Sequence, residues 1–148
     1  NAERYRSNAD AYVDRLKSLE TDYRNTIEQA ETNTLLFCDR FPFRYLTEDY
    51  GLEYYAAFPG CSAETEASFA TIAFLAEKLE ELQLPAVITI EGSDKKIAQT
   101  VIQNTESKNQ AIVSLDSLQS VSKKDIEDGV TYLSVMEKNL SVLKQILQ

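Results

Sequence analysis

The sequence predicts an α/β domain: a four-stranded parallel sheet flanked by helices and preceded by one long helix. Three observations predict it. Short, nearly continuous apolar runs alternate with stretches of helical periodicity, as in a sheet covered on both faces. The links between these segments are short, which suits the right-handed crossovers of parallel strands. The segment before the first apolar run holds no Gly or Pro and carries apolar residues at helical spacing throughout. The 148 residues make one domain's length, and 43% hydrophobic with 26% charged residues is ordinary for a folded chain rather than a disordered one.

Each element follows from its own pattern. Residues 3 to about 30 read as one amphipathic helix, with Tyr5, Ala9, Tyr12, Val13, Leu16, Leu19, Tyr23, Ile27 and Ala30 on one side. At about 1.5 Å per residue it spans roughly 42 Å, which suits either a brace between two bodies or an overhang beyond one. Thr34 to Cys38 is a buried strand ending at Asp39. Phe43 to Tyr50 is a short helix stopped by Gly51, and Leu52 to Phe58 a strand closed by Pro59-Gly60. A long helix follows over Glu66 to Gln83. Ala86 to Ile90 is the third strand, Lys95 to Asn104 a helix, and Ala111 to Leu115 the fourth strand. Ser117 to Asp128 is polar and reads as the longest loop, before a last helix from about Gly129 to Leu147. There is no internal repeat and no low-complexity tract.

Composition excludes several functions. Lys and Arg number 15 against 24 Asp and Glu, and the net charge of -9 repels nucleic acid and favours cations. With no His, Ser-His and Cys-His catalysis is excluded within these residues, and so is the commonest zinc ligand. Cys38 and Cys61 suit either one bridge or two buried thiols. No apolar run reaches the ~20 residues of a membrane span, and no signal peptide is visible. The abrupt start inside a helix reads as a fragment of something longer, with Asn1-Ala2 a tag remnant.

Open parallel sheets bind ligands beyond the carboxyl ends of their strands. Asp39 follows the first strand, the loop from Pro59 to Glu66 the second, Glu91 the third and Asp116 the fourth. Carboxylates gathered at one edge raise one another's pKa unless a cation is present, and oxygen-rich sites suit Mg²⁺, Ca²⁺, Mn²⁺ or Zn²⁺. Helix capping and loop structure compete for the same residues, Glu64, Glu66 and Glu91 above all. Cys38 reads as a thiolate ligand or a buried structural thiol, and Cys61 as structural or paired with Cys38. The aromatic run Phe41-Pro42-Phe43-Arg44-Tyr45, with Tyr54-Tyr55, reads as core or a subunit contact before a ligand cage. The glycines are too scattered for a phosphate loop, and Lys95-Lys96 and Lys123-Lys124 are solvated.

Several segments together resemble a known family. Phe37-Cys38-Asp39-Arg40-Phe41-Pro42-Phe43-Arg44-Tyr45, then Asp49-Tyr50-Gly51-Leu52, is similar to the start of the carboxyl lobe in zinc/manganese solute-binding proteins of ABC transporters. Gly60 to Ser68 resembles that family's Glu- and Ser-rich loop. Leu115-Asp116-Ser117-Leu118, with Tyr132 to Leu140, resembles its closing motif, in which a terminal helix carries Tyr, Met and Asn. The resemblance covers residues 3–148. It implies a linking helix over 3–31 and a carboxyl α/β lobe over 32–148, with an amino lobe of the same protein missing. It implies Asp116 as a metal ligand, with Asp39 first and Cys38 second for the other position, and Glu64, Glu66 and Glu91 near the site. The implied function is capture of zinc or manganese outside the cell by a membrane-anchored lipoprotein, and delivery to a permease. The metal is cargo, there is no cofactor and no enzymatic step, and half a site holds metal weakly. The surface left by the missing lobe is a candidate for a fragment dimer.

Two other classes compete. A receiver-like signalling domain is also a small parallel fold with acids around Mg²⁺, but it needs a fifth strand and a Lys at a strand end. An adhesin or interaction module rests only on the aromatics.

Overall fold

The computed structural model describes residues 1–60 and 66–148. Its elements are α1 (Ala2–Glu28), β1 (Thr34–Arg40), α2 (Arg44–Tyr50), β2 (Glu53–Phe58), α3 (Phe69–Glu81), β3 (Ala86–Ile90), α4 (Lys96–Gln103), β4 (Ala111–Leu115), α5 (Lys123–Glu127) and α6 (Tyr132–Leu147). The four strands form one sheet in the order β2-β1-β3-β4, and every pair is parallel.

Alternation along the strands divides the core in two. Leu35 and Phe37 of β1, with Ala86, Ile88 and Ile90 of β3, face α1, α2 and α6. Leu36 and Cys38, with Val87, face α3 and α4. This is the double-sided burial that the continuous apolar runs predict. On the first face Leu133, Leu140, Leu143, Ile146 and Leu147 of α6 cover the sheet. Phe37 stacks on Phe43 and meets Phe41 edge-on, while Phe41 stacks on Tyr54. The aromatic run is therefore largely core, although Tyr45 is 81% exposed.

Among the described residues, helix α1 is anchored through its second half alone. Leu19, Tyr23 and Thr26 are buried, and the Tyr23 hydroxyl donates to the Met136 carbonyl of α6 at 2.7 Å. Tyr23 also stacks on Tyr50 of α2. Residues 2 to 15 are exposed, Tyr5, Tyr12 and Val13 included. This exposure suits either of the two readings weighed above.

Several bounds differ from the sequence expectation, and at two helix starts and one added helix a capping hydroxyl is the local reason. Helix α3 begins at Phe69 rather than Glu66, because the Ser68 hydroxyl accepts from the Thr71 N–H and sets the N-cap. Helix α6 begins at Tyr132 rather than Gly129, because Thr131 and Ser134 form a reciprocal capping box. The stretch read as one loop contains α5, which Ser122 and Asp125 nucleate with a capping box of their own. As expected, Gly51 ends α2: its φ of 67° is the left-handed cap that glycine adopts without a Cβ penalty.

Candidate metal site

The parallel sheet brings Asp39, Glu91 and Asp116 to one edge. Ile90 and Leu115 are register partners, so Glu91 and Asp116 leave adjacent strands side by side. The Asp39 carboxylate reaches the Ile90 N–H through Oδ2 in a long 3.5 Å contact, while Oδ1 accepts from the Arg40 N–H at 2.8 Å. Strand β1 thus continues through Asp39 to Arg40, which still pairs with Phe58.

Asp116 is half-buried and its backbone is tied on both sides. Its N–H donates to Asn139 Oδ1 at 2.9 Å, and its carbonyl accepts from Asn139 Nδ2 at 2.8 Å. Its own Oδ1 accepts from the Leu118 N–H at 2.8 Å, an Asx turn. Leu118 has a φ of 64°, left-handed backbone that costs a non-glycine residue about 1–2 kcal/mol. Oδ2 of Asp116 accepts no hydrogen bond among the described residues.

Glu91 is occupied by protein donors. Its Oε2 accepts from the Ser117 N–H at 2.8 Å, and Oε1 from the hydroxyls of Ser117 at 2.6 Å and Ser120 at 3.3 Å. Burial pushes this carboxyl upward, but the Ser117 hydroxyl and the backbone N–H groups of Ser117, Glu91 and Gln119 together outweigh it and hold the pKa below the usual carboxylate value. Mutual repulsion at the edge was expected to raise it. Glu91 goes the other way because N–H and O–H groups face the carboxylate more closely than other charges do.

Cys38 is 2% exposed and lies on the α3 and α4 face, among Leu36, Phe58, Leu75 and Val87. It is a free thiol. Burial, aided by the charge of Asp39, pushes its pKa up to about 12. The thiolate that ligates metal is therefore scarce here at neutral pH. Glu66 is exposed just before α3. Glu64 and Cys61 lie outside the described residues. Among the described residues no three His, Cys, Asp or Glu side chains gather closely enough to hold a metal ion. Asn139, read in the sequence only as part of the closing motif, is the polar residue that this geometry adds. Its signal was a lone polar side chain within the apolar stripe of α6.

Comparison with known proteins places this edge in a family context. Residues 1–146 match the family described as ZnuA, zinc-uptake complex component A, periplasmic. The chain belongs to the ZnuA family. Relatives of this ZnuA-family chain include the zinc-binding lipoprotein AdcA of Streptococcus pneumoniae (strain ATCC BAA-255 / R6), 33% identical over 143 residues, which are 97% of this chain and 28% of AdcA. The high-affinity zinc uptake system protein ZnuA of Bacillus subtilis (strain 168) is 29% identical over 147 residues, 99% of this chain and 44% of that protein. Among solved structures, the Zn(II)-bound ZnuA-like domain of S. pneumoniae AdcA superposes with a TM-score of 0.75 at 32% identity, covering 98% of this chain and 52% of that one. The metal-dependent lipoprotein YcdH of B. subtilis gives 0.80 at 28% identity, covering 98% and 53%. The chain therefore spans about half of these structures and less than half of the two curated relatives. The family match does not support the receiver-like alternative, and the described residues form four strands where that alternative needs a fifth.

Proposed function

We propose that this chain is the linking helix, residues 3–31, and the carboxyl metal-binding lobe, residues 32–148, of a zinc solute-binding protein that delivers its cargo to an ABC permease. The match of residues 1–146 to the ZnuA family carries this reading. The parallel-sheet edge and its carboxylates support it. An amino lobe of the same protein supplies the other ligands, and the whole is held at the outer face of the membrane by a lipid anchor, as the names of its relatives suggest. Zinc is the expected cargo and manganese its competitor. No reaction is performed on the metal.

Asp116 is the first ligand of this lobe, since its Oδ2 has no donor among the described residues and its backbone is held by Asn139. Asp39 is the second: each of its oxygens retains lone pairs beyond the backbone bond it accepts. Cys38, enclosed in the core beneath α3 and α4, supports Asp39 over the thiol. Glu91 orders the loop beside them.

Zinc titration of the complete two-lobe protein and of this chain tests the reading. The complete protein should bind one zinc tightly, and manganese more weakly. Asp116→Ala and Asp39→Ala should each weaken it, and Cys38→Ala should not. Two carboxylates alone should bind no better than weak oxygen sites, about 10⁻⁴–10⁻³ M. Submicromolar, stoichiometric zinc binding by the 148-residue chain would overturn the half-site assignment.

A further inference from the structure

Asn139 lies in the middle of the buried stripe of α6, between Val135 and Leu143, and is itself only 2% exposed. Every other buried residue of that helix is apolar. Packing alone would place a Leu or Ile here, and Asn is a poorer helix former than Leu. Its presence therefore asks for a polar task. Both ends of its amide are used on one residue: Oδ1 accepts the Asp116 N–H at 2.9 Å, and Nδ2 donates to the Asp116 carbonyl at 2.8 Å. These two atoms flank the Asp116 Cα. Tying both fixes the rotations on either side of that carbon, and with them the direction in which the side chain leaves the backbone. The Asx bond from Leu118 N–H to Oδ1 then sets the carboxylate itself, and among the described residues Oδ2 is left without a donor.

We infer that Asn139 is a positioning residue for metal capture: its buried amide clamps the Asp116 backbone so that the carboxylate is already aimed before metal arrives. The inference rests on the reading of Asp116 as a metal ligand. Holding the ligand in advance lowers the ordering cost of binding. Partners that hold a ligand from behind commonly matter 10- to 100-fold for metal affinity.

The test uses the complete two-lobe protein in four forms: unmodified, Asn139→Leu, Asp116→Ala and the double variant. Zinc affinity is measured by competition with a chelator, and amide hydrogen exchange at residue 116 is followed without metal. Asn139→Leu should weaken zinc by about 10- to 100-fold and speed exchange at Asp116. The double variant should bind zinc no more weakly than Asp116→Ala alone. Unchanged affinity in Asn139→Leu, beside a weakened Asp116→Ala, overturns the inference and spares the ligand reading. An equal loss from Asn139→Leu with and without Asp116 also overturns it, since the effect would then act through the whole fold. Unchanged affinity in Asp116→Ala overturns the ligand reading and this inference with it. Should Asn139→Leu not fold, Asn139→Ser serves in its place, because its hydroxyl is too short to make both bonds.

Discussion

Asp116 and Glu91 leave adjacent strands side by side, yet they do different work. Among the described residues one keeps an oxygen without a donor, while the other spends its carboxylate on Ser117 and Ser120. Glu91 titrates below its ordinary value in the folded chain. Its contribution to stability is therefore complete above the ordinary carboxylate pKa and disappears as pH falls through the folded one. Thermal unfolding of Glu91→Gln against the unmodified chain should show a gap near pH 7 that closes in strong acid. Cys38 gives a second test at this scale. With its pKa pushed up to about 12 and its side chain enclosed, it should resist alkylation at pH 8 in the folded chain. Denaturation should make it react fully, read by mass spectrometry of the peptide that carries it. A strand-end carboxylate is visible in sequence, but the donors that will face it are not. The seryl groups that hold Glu91 come from a loop 26 to 29 residues away, so its role could not be read from the sequence alone.

Among the elements, strands were the most legible because both sheet faces are covered. Continuous apolar runs place β3 and β4 at their observed bounds. They place β1 two residues short, since Asp39 and Arg40 are polar but still pair along the strand. Helix α5 stayed hidden for the opposite reason. It has five residues, and its one large apolar side chain, Ile126, is exposed, so no periodicity marks it; only the Ser122–Asp125 box does. Capping is correspondingly important in the longer α6. Thr131→Ala removes a side-chain acceptor from its first turn and should lower stability by about 1 kcal/mol. Tyr23→Phe removes the hydroxyl that ties α1 to the Met136 carbonyl, and should cost a similar amount, about 0.5–1.5 kcal/mol. Chemical denaturation of each variant measures both. The two losses should add in the double variant, because the two groups share no partner.

For the molecule as a whole, one sheet separates two cores that share no side chain among the described residues. α1 belongs to only one of them, and by less than half its length. Amide hydrogen exchange should therefore grade along this helix: fast over residues 2–15, where every position is exposed, and slow from Leu19 to Glu28. Uniform protection along α1 would mean that something covers its first half. Mechanically, α1 is a lever fixed at one end. From its anchor near Leu19 to its start at Ala2 it reaches about 25 Å. A tilt of about 5° at that anchor would carry the tip sideways by about 2 Å. The aromatic pair and the Tyr23 hydroxyl at the base thus set the aim of the exposed half of α1, and a small slackening there is magnified at the tip.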